Sequence, residues 1–154
     1  MALSGKLVAQ IEIKSNGDVF HELWKANPHD VPKLTPTTIQ KCETHSGEAG
    51  TVGSVLFWNY FHDGKDSVAK TLLHDIDEEK KSVTFKILEG DLLELYKNFI
   101  IHIHVDTNGL NNLVTWTVEY EKLNANVPDP NTLLDFYRKV TKDIETHHVS
   151  TASN

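Results

Sequence analysis

The amino-acid sequence predicts an α+β fold in which an antiparallel meander of strands packs against one long C-terminal helix. Three observations support this prediction. Apolar and polar residues alternate in consecutive segments between about residues 55 and 122, short turn-forming sequences separate these segments, and one amphipathic helical pattern follows them. Strands that follow strands across short turns are typical of antiparallel sheets.

The N-terminal part predicts a strand and two brief helices. Apolar residues among polar ones predict the strand over residues 3–13. A helix is expected to start within residues 15–18, because short polar side chains there accept hydrogen bonds from the free N–H groups of a helix start. Its apolar residues recur at helical spacing until Pro28, and residues 30–34 predict one more helical turn before Pro36.

The middle of the chain predicts a series of strands. The first covers residues 56–60, and Asp63-Gly64 predicts a hairpin turn because Gly accepts a positive φ at little cost. The returning arm covers residues 65–76. Three later segments alternate in the same way, and their apolar faces consist of Val83, Phe85 and Ile87, then Phe99, Ile101, Ile103 and Val105, then Val114, Trp116, Val118 and Tyr120.

The strongest helical pattern lies near the C-terminus. Asp129 is predicted as the N-cap and Pro130 as the first helical residue, where its missing N–H costs nothing. A helix of about 19 residues would be roughly 28 Å long. We assign residues 1–149 to one domain and residues 150–154 to a C-terminal tail. The apolar stripe of the helix consists of Leu133, Phe136, Tyr137, Val140 and Ile144.

Composition excludes several classes of protein. The chain has 154 residues, which suits a single domain, and a formal net charge of −7. That charge disfavours both a nucleic-acid partner and an anionic membrane surface. The single cysteine, Cys42, excludes an intramolecular disulfide and a cysteine-based zinc finger. No apolar run approaches the ~20 residues of a membrane span, so we expect a cytoplasmic protein without a membrane partner.

Two local patterns are compatible with phosphate or metal binding. The glycine-rich residues 47–53 could cradle a phosphate, but such loops usually lead into a helix, and a strand follows here. We therefore interpret them as a tight strand-to-strand loop. His102 and His104 lie on one side of a strand and could bind one metal ion, but their face is expected to be exposed and no third ligand is evident, so we predict no metal site.

The aromatic residues leave two interpretations open. Trp58, Tyr60, Phe85, Trp116 and Tyr120 all fall on predicted inward faces, opposite Phe136 and Tyr137 of the helix. They are compatible with a dry core or with the wall of a ligand pocket, and the residues alone do not decide between the two. Lys70 and His74 share strand parity with the apolar Val68, Leu72 and Ile76. That parity predicts two polar groups aimed inward.

Several segments together resemble the major latex proteins, in particular the kirola-type members, a plant branch of the Bet v I (pathogenesis-related class 10) superfamily. The resemblance runs from residue 3 to residue 148. The segments that carry it are residues 18–23 (DVFHEL), 50–55 (GTVGSV), 76–86 (IDEEKKSVTFK), 88–92 (LEGDL) and 114–123 (VTWTVEYEKL).

The resemblance implies a seven-stranded curved antiparallel sheet wrapped around a long C-terminal helix, the START-like helix-grip fold, with two short helices at its end. It also implies a large internal cavity for small hydrophobic or amphipathic molecules, with no cofactor. Carried over by position, its wall would contain Leu23, Leu56, Trp58, Tyr60, Phe85, Ile87, Ile101, Ile103, Phe136, Tyr137 and Val140. To these we add Lys70 and His74, the two inward polar groups predicted by strand parity.

Two classes of function follow. The first is a carrier, expected to be monomeric and defence- or stress-related, for sterols, lysolipids, flavonoids, alkaloids or hormones. The second is an enzyme of specialised metabolism, an isomerase or cyclase, which would need Lys70 or His74 as a buried acid or base. A ribonuclease is disfavoured by the net charge of −7.

Overall fold

A single antiparallel sheet dominates the structure. The computed structural model describes residues 3–14, 17–48, 50–108 and 111–152. Strands β2 to β7 form a meander, β1 pairs with β7, and the strand order is β1-β7-β6-β5-β4-β3-β2. This confirms the predicted meander. The strands are β1 (Ser4–Ile13), β2 (Ile39–Ser46), β3 (Val55–His62), β4 (Lys65–Asp77), β5 (Ser82–Gly90), β6 (Tyr96–Asn108) and β7 (Asn111–Lys122).

Two short helices and one long helix accompany the sheet, as predicted. They are α1 (Gly17–Ala26), α2 (Val31–Leu34) and α3 (Asn131–Ala152). Short 3₁₀ turns lie at Pro28–Asp30 and Asp91–Glu94. Helix α3 packs against β1 and β3, while α1 packs against β5 and β6. Within the described ranges, no helix combines the length and the apolar character that a membrane crossing requires.

Helix α3 differs from its predicted bounds at both ends. It begins at Asn131, one residue later than predicted. The Asp129 carboxylate, predicted as its N-cap, accepts hydrogen bonds at 2.8 Å from the Tyr120 hydroxyl and from Lys122. It therefore fastens the start of the helix to β7. At the other end α3 continues to Ala152, into the segment predicted as a tail from residue 150.

Trp116 joins the sheet to α3 through a hydrogen bond as well as through packing. Its indole N–H donates to Thr141 Oγ1 at 2.8 Å, and the Thr141 hydroxyl donates to the Tyr137 carbonyl at 2.8 Å. Trp116 is 1% exposed and Thr141 is fully buried. A buried polar group without a partner costs about 1–3 kcal/mol, so this pair allows a tryptophan to sit between the two layers.

The β3–β4 hairpin turns at Asp63-Gly64, as predicted. Both residues have positive φ, 53° and 71°, which matches a two-residue turn of the primed type. His62 therefore pairs with Lys65, and the same register places Trp58 opposite Ala69 and Tyr60 opposite Ser67.

Asp91 fastens the end of β5 to β4. Its Oδ2 accepts a hydrogen bond from the Val68 backbone N–H at 2.6 Å, and its Oδ1 lies 3.2 Å from Lys65 Nζ. The backbone hydrogen bond, together with Lys65, lowers the pKa of Asp91 below its ordinary value of 3.8. A lowered folded-state pKa stabilises the fold above pH 3.8, and this contribution is lost as the pH falls through the folded-state pKa.

Asp91→Asn is expected to reduce stability by about 1 kcal/mol at pH 7, because Asn retains an acceptor for Val68 N–H but loses the charge. Thermal unfolding of both proteins from pH 7 to pH 3 measures this difference. The deficit of the variant should shrink as the pH approaches 3. A deficit of the same size at both ends of the range would show that the carboxylate charge is not responsible.

Candidate functional site

An apolar pocket lies between the inner face of the sheet and α3. Its volume is about 70 Å³, and it is partly open on one side. The surface of its wall is carbon almost throughout. An apolar cavity of ~150 Å³ accommodates benzene, so the present space holds part of a ring or a short alkyl chain. A larger ligand requires wall side chains to move.

The pocket is smaller than the large cavity that the family resemblance implied, because aromatic rings occupy much of the space. The Trp116 and Tyr137 rings stack at 4.4 Å with only 5° between their planes. Trp24, from α1, stands at 88° to Trp116 at 5.1 Å and lies 6.1 Å from Trp58. The same aromatic side chains therefore pack as a core and line the pocket. The two interpretations that the sequence leaves open, a core and a pocket wall, both apply to them.

The wall carries no charge at neutral pH within the described part of the chain. Its only titratable side chains there are Tyr60 and Tyr137. Burial raises the pKa of both hydroxyls above their ordinary value of 10.0, with smaller contributions from Asp91 on Tyr60 and from Tyr60 on Tyr137. Both phenols therefore stay neutral. The wall can donate hydrogen bonds but offers no carboxylate, amine or imidazole for proton transfer.

The structure brings together most of the residues predicted for the wall. Two of the predicted wall residues, Leu23 and Leu56, do not line the pocket. They are 6% and 3% exposed and belong to the surrounding core. Nine of the predicted residues do line it: Trp58, Tyr60, Phe85, Ile87, Ile101, Ile103, Phe136, Tyr137 and Val140.

The predicted inward orientation of Lys70 and His74 is wrong. Trp58 and Tyr60 point inward, and directly opposed residues of antiparallel strands share a face, so Ala69 and Ser67 point inward as well. Lys70 lies on the outer face, where its Nζ is 3.3 Å from a Glu89 carboxylate oxygen. His74 is exposed and lies at the register shift between Leu73 and Asp75, where it has no paired residue on β5.

Seven wall residues were missing from the predicted set. Trp116 is one of the inward aromatic residues that the sequence leaves open between core and pocket wall, Trp24 belongs to the helical pattern before Pro28, and the hairpin register indicates Ala69 and Thr71. Nothing in the local pattern distinguishes the remaining three from ordinary core residues. The seven are Trp24, Ile39, Ala69, Thr71, Leu92, Trp116 and Leu133.

Beside the pocket, the β3–β4 turn is tied to the first turn of α3. His62 Nε2 lies 3.0 Å from Thr132 Oγ1, and Thr132 donates to Asp63 Oδ2 at 3.1 Å. The His62 ring also lies 6.0 Å from Phe136, a wall residue. Burial lowers the pKa of His62 from its ordinary value of 6.5, against the opposing effect of Asp63.

The glycine-rich loop joins β2 to β3, in keeping with a strand-to-strand loop. Three N–H groups in and next to this loop already have acceptors in the protein. Thr51 N–H donates to Glu48 O at 3.1 Å, Gly53 N–H to Leu73 O at 2.8 Å, and Ser54 N–H to Thr51 O at 3.1 Å. These donors are not available to hold a phosphate.

His102 lies in a polar network on the outer face of the sheet. Its Nδ1 is 3.0 Å from Thr84 Oγ1, and its Nε2 is 2.7 Å from Glu119 Oε2. Among the residues that the structure describes, no three or more His, Cys, Asp or Glu side chains converge into a possible metal site. Cys42 is buried, and burial with a smaller effect of Glu43 raises its pKa to about 12, so its thiol stays protonated at neutral pH.

Comparison with known proteins agrees with the fold and with the sequence resemblance. The model of the pathogenesis-related protein Bet v 1 family matches residues 2–151. MLP-like protein 31 of Arabidopsis thaliana is 47% identical over 148 residues, which are 95% of this chain and 86% of that protein.

Solved structures give the same result. A crystal structure of the major latex-like protein 151 of Panax ginseng superposes with a TM-score of 0.94 at 56% identity, covering 96% of this chain and 99% of that one. Norcoclaurine synthase from Thalictrum flavum, solved in complex with dopamine and hydroxybenzaldehyde, has a TM-score of 0.77 at 17% identity over 96% of this chain and 87% of that one. At that identity the likeness shows a shared fold only.

Proposed function

This chain belongs to the pathogenesis-related protein Bet v 1 family, and we propose that it binds or carries small hydrophobic molecules in the pocket between its sheet and α3. The observation that carries the proposal is the pocket wall, which is built from apolar and aromatic side chains and is uncharged at neutral pH. Such a wall binds a ligand mainly by removing apolar surface from water, at about 25 cal/mol per Å².

The geometry favours a carrier over an isomerase or cyclase. An acid–base enzyme needs a titratable group within reach of its substrate. Lys70 and His74, on which the enzyme hypothesis depended, lie on the opposite face of β4 from the pocket. The shared fold of norcoclaurine synthase is compatible with catalysis, but that enzyme's activity does not transfer at 17% identity.

The ligand classes that we propose are those with a single ring or short alkyl portion that fits the pocket: sterols, lysolipids, flavonoids, alkaloids or hormones. We further propose a monomer that acts in the cytoplasm, in defence or stress responses, without a nucleic-acid partner. The net charge of −7 supports the last point, and the buried, protonated Cys42 thiol is compatible with a reducing compartment.

A fluorescence titration tests the proposal, because all three tryptophans line the pocket. Members of each ligand class are added to the wild type and to Lys70→Ala and His74→Ala. We expect saturable quenching or enhancement for at least one class, with affinities in both variants within about twofold of wild type, since surface changes away from the site have little effect. No saturable signal from any class would contradict the proposal.

A further inference from the structure

The ring of Phe136 lies where the pocket wall reaches the surface. Phe136 is half-buried, whereas every other wall residue in the described part of the chain is buried. Because the pocket is partly open on one side, its opening lies beside this ring. A ligand that exchanges with solvent at the opening has to pass the ring or displace it.

Packing alone holds the Phe136 ring in place. Its neighbours are Tyr60, His62 and Tyr137, with ring centroids 5.6, 6.0 and 5.5 Å away and ring planes inclined at 69°, 85° and 77°. Each edge-to-face contact of this kind contributes little, and a phenyl ring has no polar atom that would fix its rotamer through a hydrogen bond. The ring can therefore swing aside when Tyr60 and His62 of β3 separate slightly from α3.

A hydrogen-bonded tie between the β3–β4 hairpin and α3 limits that separation. Thr132 lies one helical turn before Phe136, on the same side of α3. Its hydroxyl donates to Asp63 Oδ2 at 3.1 Å, and since a hydroxyl has one proton, Thr132 Oγ1 accepts from His62 Nε2–H, with Nε2 3.0 Å away. One side chain of the helix thus holds two consecutive residues of the hairpin.

The other helix at the pocket wall does not offer an equivalent opening. Helix α1 contributes Trp24, which is 4% exposed. The next residue, Lys25, forms an ion pair with Glu78 in the turn between β4 and β5. The wall is therefore covered where α1 contributes to it.

We infer that ligands enter and leave the pocket between Phe136 and the β3–β4 hairpin, and that Thr132 sets their exchange rate by tying the hairpin to α3. The inference rests on the proposed function and adds to it a route and a positioning residue. Since the same opening precedes entry and exit, a weaker tie raises the association and dissociation rate constants by the same factor. The dissociation constant, which is their ratio, then stays unchanged.

Fluorine NMR of fluorobenzene, a single-ring apolar probe, measures both rate constants and the dissociation constant on the full chain. Thr132→Val keeps the shape of the side chain but removes the hydroxyl, and since Thr132 is exposed, the variant remains folded. We expect both rate constants to rise roughly three- to tenfold in this variant, with the dissociation constant within about twofold of wild type. Thr132→Ser retains the hydroxyl and should restore the slow exchange of wild type.

Two control variants leave the tie intact. Thr146→Val makes the same substitution at an exposed position near the other end of α3. Lys25→Met removes the ion pair between α1 and Glu78. Both variants should exchange fluorobenzene within about twofold of the wild-type rates. If either control accelerates exchange as much as Thr132→Val does, the inference is overturned.

The outcomes separate this inference from the proposed function. If fluorobenzene binds but its rate constants are unchanged in Thr132→Val, or if the dissociation constant changes with them, the entry route is overturned and the apolar pocket remains. If fluorobenzene does not bind to wild type, both the entry route and the proposed apolar pocket are overturned.

Discussion

Gly90→Ala is expected to lower the free energy of unfolding by about 3 kcal/mol and the melting temperature by roughly 6–12 °C. A Cβ at this position would lie 2.3 Å from the Val68 carbonyl oxygen and 2.8 Å from Ala69 Cα. Both are backbone atoms of the paired strand, which cannot move aside as a flexible side chain can. The φ of 133° is also one that residues other than glycine rarely adopt.

Gly64→Ala is the matched control for this prediction. Gly64 also has a positive φ, 71°, but a Cβ there would meet no atom within 4 Å. Gly64→Ala is therefore expected to lower the free energy of unfolding only through backbone strain, by about 1 kcal/mol. Thermal unfolding of the two variants measures the difference, and equal losses would show that the close approach of β5 to β4 is not what stabilises this region.

Ala69→Met is expected to weaken ligand binding by roughly ten- to a hundredfold while the protein remains folded. Ala69 lies on the pocket wall opposite Trp58, and Met adds three flexible heavy atoms to a space of about 70 Å³. Displacing about 60–100 Å² of buried apolar ligand surface costs about 1.5–2.5 kcal/mol of binding free energy. Titration of the tryptophan fluorescence with a ligand bound by the wild type measures the loss.

Val68→Met provides the control, because Val68 precedes Ala69 on the same strand but is 37% exposed on the outer face. It adds apolar volume to β4 without entering the pocket. The affinity of Val68→Met for the same ligand should remain within about twofold of wild type. If Ala69→Met bound as tightly as Val68→Met, the ligand would have to occupy a different place.

The sequence predicted the strands with one apolar face more reliably than β4. In β5 the alternation of Val83, Phe85 and Ile87 with polar residues identified the inner face, and all three are buried. In β4 apolar residues occur at both parities, so alternation alone is ambiguous. The two-residue turn at Asp63-Gly64 resolves it, because pairing His62 with Lys65 places Trp58 opposite Ala69. The pairing register of β3 and β4 therefore shows which face of β4 points inward, and the sequence of β4 alone does not.

The size of the pocket was beyond sequence reasoning for a different reason. It depends on how rings from distant segments pack together. Trp24 reaches the wall from α1 and meets Trp58 of β3 and Trp116 of β7 at 5–6 Å. Whether such rings fill a cavity or line it is decided by gaps smaller than a methyl group. No spacing along the chain specifies gaps of that size.

Native mass spectrometry of the intact protein with one member of each proposed ligand class tests the central claim most directly. We expect a saturable 1:1 complex with at least one of these molecules, which Val68→Met retains and Ala69→Met loses. No adduct with any of them, or an adduct equally abundant in Ala69→Met, would contradict the claim that the pocket between the sheet and α3 is the binding site.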